Sequence, residues 1–375
     1  MKRWNEILKL FLAVVFSQTM FGSSLLAQPF LKDVFKDYYY IGTALNHNHV
    51  FSRDSLSMEL VKKQFNSITP ENLLKWEPVH PKVDQYNFEP ADSFVAFGQR
   101  NNMFIIGHTL VWHAQTPRWV FEDEAGNPAT REVLLQRMRD HIYSVAGRYK
   151  GRINGWDVVN EAFEDDGALR KSKWFQIIGE DYIEKAFEYA HEADPDAELY
   201  YNDYNEWHIG KVNAVVNLVK NLQSKGIKIH GIGMQGHWGM DYPTLNELDE
   251  ALKKYSETGL KIVITELDIS ILPNPWNYTG AEISQNFELQ KKLNPYPDSL
   301  PDSMQVKLSE RYSELFRTIN KYKDSVSRIT FWGVHDGGSW KNNFPVRGRT
   351  DYPLLFDRNL QPKPVFYGVI KTITE

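Results

Sequence analysis

The 375-residue chain contains no cysteine. That absence excludes a disulfide framework, thiolate zinc sites, iron–sulfur centres and a cysteine nucleophile. An excess of one charge is lacking too: 43 Lys plus Arg stand against 48 Asp plus Glu, a net charge of −5. Without a positive balance the chain is not built for polyanions, and no nucleic-acid partner is expected. Long apolar runs are scarce. The run over residues 8–16 follows Lys2 and Arg3 and precedes small residues at 23–27, the layout of a secretory signal. It is too short to span a bilayer stably, and no other segment approaches that length. The expected organisation is a signal peptide over 1–27 and one large domain over 28–375, secreted or periplasmic after cleavage, with no membrane span in the mature chain. An uncleaved anchor or a buried helix has the same kind of start.

What is present is an ordinary globular composition, 42% hydrophobic and 24% charged, able to bury a sizeable core. The 11 Trp, 19 Tyr and 21 Phe, 14% of the chain, are more rigid ring surface than a core usually needs. A site that stacks on flat ligands is worth looking for. Short apolar runs at 39–44, 65–69, 104–109, 153–160, 197–202, 229–235, 260–266 and 329–335 read as eight strands. Amphipathic stretches at 131–148, 181–193, 212–225, 242–256 and 306–322 lie between them with helical spacing. This alternation predicts an α/β fold, a single (β/α)8 barrel. The segment 270–305 carries five prolines and reads as a surface excursion.

In such barrels the C-terminal strand ends build the active site. Those ends are polar here: Glu71 and Asn72, His108 and Trp112, Asn160 and Glu161, Asn202 and Tyr204, Gln235 and His237, Glu266, Trp332 and His335. Two carboxylates each end an apolar run, Glu161 in WDVVNEA and Glu266 in KIVITELD. If the barrel closes, both project into one mouth, the equipment for glycoside hydrolysis. Asn160, Asn72, Gln235, Lys75 and His108 suit sugar hydroxyls, and Trp112, Trp332, Trp340 and Tyr204 suit pyranose faces. Each has a plain structural alternative: a salt-bridged surface Glu, a core Trp, an Asn capping the next helix, a Lys paired with a neighbouring carboxylate. A second class, a metal-dependent hydrolase using His47, His49, His108, His113, His237 and His335, and a third, a catalytically silent sugar-binding barrel, remain open at this level.

Seven motifs carry a resemblance: FNSITPENLLKW, GHTLVWHAQTP, WDVVNEAF, YNDYN, GIGMQGHW, VITELDIS and FWGVHDGGSW. In this order the chain resembles glycoside hydrolase family 10, the endo-β-1,4-xylanases, over about 33–370. The resemblance implies Glu161 as general acid/base and Glu266 as nucleophile of a retaining mechanism, with His237 as the nucleophile's partner. It implies sugar contacts for Glu71, Asn72, Lys75, His108, Trp112, Gln115, Asn160, Tyr204, Gln235, Trp332 and Trp340. It further implies no metal and no cofactor, xylan and xylo-oligosaccharides as substrates, and a monomer. Cellulose-type substrates are a minor alternative, because telling xylose from glucose depends on room around one hydroxymethyl group. His335 stands where the family often has Thr, either tuning the tryptophan loop or serving as a satisfied bystander.

Overall fold

The computed structural model describes residues 28–51, 53–274 and 291–374. The signal segment and the centre of the 270–305 excursion lie outside the described residues. The barrel belongs to the unit Leu31–Glu375. Its strands are β1 (Tyr40–Leu45), β2 (Ser67–Pro70), β3 (Phe104–Trp112), β4 (Gly155–Asn160), β5 (Glu198–Asp203), β6 (Gly231–Met234), β7 (His237–Gly239), β8 (Lys261–Ser270) and β9 (Val326–Phe331). Eight of them close a parallel ring, with β6 pairing directly to β8 and β9 returning to β1. The three-residue β7 pairs in parallel with the far half of β8, His237 opposite Asp268.

Eight longer helices among the described residues follow the ring strands: α1 (Ser55–Gln64), α2 (Glu89–Arg100), α3 (Arg131–Arg148), α4 (Tyr182–Ala193), α5 (Ile209–Ser224), α6 (Leu245–Ser256), α7 (Asp302–Asn320) and α8 (Pro364–Thr374). Strands covered on both faces read as apolar runs, and β4 is buried at all six positions. The single barrel is therefore the fold that the alternation predicts.

Two boundaries differ from the sequence expectation for clear reasons. The helix expected at 242 starts at Leu245, because Thr244 caps it. Thr244 Oγ1 accepts from the Glu247 backbone at 3.2 Å, and the Glu247 carboxylate accepts from Thr244 N at 2.8 Å, a capping box. The last strand runs over Val326–Phe331 rather than 329–335. It opens on Val-Ser-Arg, a polar beginning that hides it, and Arg328 turns into the barrel with 1% exposure. Its guanidinium lies over the Tyr200 ring at 5.6 Å and donates to Thr330 Oγ1 at 2.8 Å. Around that ring the barrel needs glycine: a Cβ on Gly155 or Gly231 would come within 2.6 or 2.7 Å of Tyr200. The lower barrel is thus filled with side chains, the Arg328 guanidinium among them.

Candidate active site

A cleft of about 780 Å³ opens at the C-terminal strand ends. All fourteen residues expected at the site line it, from Glu71, Asn72 and Lys75 after β2 to Trp332 and Trp340 after β9. His335 does not. Its Nδ1 accepts from Gly337 N at 3.2 Å and caps the short turn that leads to Trp340.

Glu161 immediately follows β4 and adopts φ 58°, a left-handed conformation that is costly for a residue with a Cβ. The turn is held by its N–H, which donates to Asn202 O at 2.8 Å, and by its carbonyl, which accepts from Arg170 Nε at 3.0 Å. This aims the carboxylate into the cleft. Oε2 accepts from Trp112 Nε1 at 2.9 Å, and Oε1 accepts from Asn160 Nδ2 at 3.1 Å and Gln235 Nε2 at 3.0 Å.

Glu266, in the middle of β8, is 5% exposed. Its Oε1 accepts from Asn202 Nδ2 at 2.9 Å, and its Oε2 lies 3.3 Å from His237 Nε2. Burial pushes this carboxyl up. The His237 hydrogen bond and the influence of His108, His237 and Lys75 outweigh it, so the net displacement is downward and the ionised form is favoured. Asn202 joins the two carboxylates: the same amide nitrogen also donates to Asn160 Oδ1 at 2.8 Å, and its oxygen accepts from Thr265 Oγ1 at 2.7 Å. There is no slack beside it, since a Cβ on Gly233 would lie 2.4 Å from Asn202 Oδ1.

The family profile described as glycosyl hydrolase family 10 matches residues 30–372. The chain belongs to glycosyl hydrolase family 10. It is 47% identical to an endo-1,4-beta-xylanase A of Xylanibacter ruminicola, over 92% of this chain and 93% of that protein. It is 46% identical to a beta-1,4-xylanase of Dictyoglomus thermophilum, over 92% of this chain and 91% of that one. Among solved structures, an endoxylanase of the family from a sugarcane soil metagenome superposes with a TM-score of 0.87 at 44% identity, covering 92% of this chain and all of that one.

Around the two carboxylates this family 10 site carries an ordered electrostatic frame. His237 Nδ1 lies 3.0 Å from Asp268 Oδ1, so the ring bridges Asp268 and Glu266. Burial disfavours its charge, but Asp268 and Glu266 overcome that and raise it to about 9. Asp268 is a hub, accepting also from Trp340 Nε1 at 2.7 Å, with Lys341 Nζ 3.5 Å away. Lys75 Nζ donates to Asn72 Oδ1 at 3.0 Å and sits over the Trp112 ring at 4.9 Å. Burial lowers the lysine's pKa against the opposing pull of Glu266, Glu71 and Glu161. Burial raises that of Glu71, against Lys75 and a hydrogen bond from Asn46. His108 Nδ1 is 2.9 Å from Asp157 Oδ2. Arg170 Nη2 donates to the Tyr204 hydroxyl at 2.7 Å, fixing that ring beside Glu161.

The histidines do not assemble as a metal centre: no group of three or more suitable ligands occurs among the described residues. Asn202 was read as a polar strand end but given no role, and Asp268, Thr265 and Arg170 were not among the expected site residues. Asp268 had a readable signal, since two residues on from Glu266 in a strand is the same face.

The His237 displacement has a consequence for stability. Its folded value of about 9 lies above the ordinary 6.5, so its contribution is complete below pH 6.5 and is lost as pH rises through about 9. Tm is expected to fall across that interval, and His237→Gln to flatten that part of the profile, as calorimetry at stepped pH would show. The same substitution removes a partner that favours ionised Glu266, so the acid limb of kcat/KM moves to higher pH. An unmoved acid limb contradicts the pairing.

Proposed function

We infer that the chain is an endo-acting hydrolase of internal β-1,4-xylosidic bonds in xylan, working with retention through a covalent glycosyl-enzyme. We propose Glu161 as its general acid/base and Glu266 as its nucleophile. The supporting observation is that Asn202, Asn160 and Gln235 tie both carboxylates to one hydrogen-bonded floor within a single cleft. A relative of the family, 38% identical over 92% of this chain with a TM-score of 0.82, was solved as a mutant in complex with xylotriose.

In the first step a Glu266 oxygen attacks the anomeric carbon, the bond to the leaving oxygen breaks, and Glu161 gives its proton to that oxygen. A glycosyl ester of Glu266 results. Glu161, now a carboxylate, takes a proton from water while the water oxygen attacks the same carbon, and Glu266 departs as a carboxylate. Two displacements restore the original configuration. This pathway needs the carboxyl groups roughly 5 to 5.5 Å apart. Asn160 is set to bond the sugar 2-hydroxyl, a contact that strengthens in the oxocarbenium-like transition state. Lys75, His108, Glu71, Asn72 and Gln115 meet the other hydroxyls, and Trp112, Trp332, Trp340 and Tyr204 meet ring faces.

No helix among the described residues is long and apolar enough to cross a membrane. We propose further that residues 1–27 are a cleaved signal, that the mature chain is secreted or periplasmic, and that it acts as a monomer. Incubation with arabinoxylan, glucuronoxylan and carboxymethyl-cellulose, with product sizing, tests the activity. Both xylans are expected to give short oligosaccharides at rates unchanged by chelation, with little release from the cellulose derivative. Xylose as the sole early product, or loss of activity on chelation, would overturn the reading.

A further inference from the structure

Glu206, between β5 and α5, is a buried carboxyl that the mechanism above does not use. It is 1% exposed and is not among the cleft-lining residues. Its Oε1 accepts a hydrogen bond from the backbone N–H of Gln235, and its Oε2 has no partner among the described residues. Its own carbonyl accepts from the Tyr255 hydroxyl at 3.2 Å.

The importance of this contact lies in Gln235. The Gln235 carbonyl accepts from the Glu266 backbone N–H at 2.7 Å. The Gln235 side-chain nitrogen donates to Glu161 Oε1 at 3.0 Å, with Asn160 Oδ1 at 3.3 Å. One residue therefore touches the main chain of one carboxylate and the side chain of the other. A second acceptor, Asp203 O, shares the Gln235 N–H at 2.9 Å, so the peptide is gripped from two sides. Gln235 directly follows β6, and its peptide is tied to both neighbouring strands, β5 and β8.

We propose that Glu206 is a positioning residue: it clamps the Gln235 peptide from below and thereby holds Glu161 and Glu266 in mutual register. This rests on the roles proposed above for those two carboxylates. Misplacement of reacting groups by about 1 Å can cost roughly 10²-fold in rate, so a clamp with no substrate contact can act on kcat. The charged groups that act on it are Asp203 and Lys211. Burial pushes Glu206 well above the usual carboxylate range, backbone hydrogen bonds from Glu206 and Gln235 oppose that, Asp203 adds to it and Lys211 opposes it. An amide of the same shape can replace the carboxyl: a glutamine at 206 keeps the oxygen that accepts from Gln235.

The test compares Glu206→Gln with Glu206→Ala in the full chain. Expected are a roughly ten- to hundredfold fall of kcat on xylan in Glu206→Ala with KM within about threefold, and kcat within about twofold of the parent in Glu206→Gln. The Gln235 backbone amide proton, followed by NMR, is expected to move upfield in Glu206→Ala and to stay nearly in place in Glu206→Gln. This shift reports the clamp independently of the chemistry, so its failure is distinguishable from failure of the carboxylate assignment. If Glu206→Ala does not fold, Glu206→Asp takes its place, one methylene short of the peptide and with the same expected loss. An unchanged kcat in the alanine or aspartate variant, an equal loss in Glu206→Gln, or an unmoved Gln235 amide would each overturn the proposal.

Discussion

Glu266→Ala is expected to abolish turnover of xylan, with kcat falling roughly 10⁵-fold, about 7 kcal/mol of barrier. The alanine leaves the anomeric carbon without an attacking oxygen, and the carboxylates that remain among the described cleft residues are Glu71 and Glu161. Glu71 is held in the cleft wall by Lys75 and Asn46, and burial raises its pKa. The loss extends to substrates with any leaving group, because formation of the glycosyl ester fails before departure of the aglycone matters. Steady-state assays on xylan and on a dinitrophenyl xylobioside measure this. Full activity in the variant would remove Glu266 from the mechanism.

Glu161→Ala is expected to behave differently, and the contrast separates the two roles. Loss of proton donation costs roughly 10² to 10⁴-fold on xylan, whose leaving group is a poor one. A dinitrophenyl xylobioside departs without protonation, so its first step survives. The second step then lacks a base, and a burst of dinitrophenol followed by slow turnover is expected. Azide, which needs no base, attacks the glycosyl-enzyme from the vacated side and forms the β-glycosyl azide while restoring rate. An α-azide or the absence of a burst would contradict the assignment. Trp112 loses its acceptor in this variant and Gln235 one of its two, so a part of any loss reflects reorganisation of those donors.

The barrel was legible because burial on both faces forces apolar runs, and seven of the eight ring strands lie close to where such runs stand. The last was expected at 329–335 and overlaps the observed Val326–Phe331 only in part, since Ser and Arg follow its first valine and the arginine is accommodated by the Tyr200 ring and Thr330 Oγ1. That is a tertiary fact with no local signature. The site shows the same division. Residues at the ends of different strands, Asn160 and Glu161, Gln235 and His237, Glu266, could be read as a set because the fold brings strand ends together. The supports that come from loops or from below could not: Arg170 is one arginine in a polar stretch, and Glu206 follows its motif with nothing to mark it as buried.

The central claim is that Glu266 becomes covalently bonded to the sugar. A 2-deoxy-2-fluoro xylobioside with a good leaving group slows both displacements and the second one more, so the ester accumulates. Peptide mapping by mass spectrometry is predicted to find one fluoroxylobiosyl unit per chain, on Glu266. A label on Glu161 or on any other side chain would contradict the account.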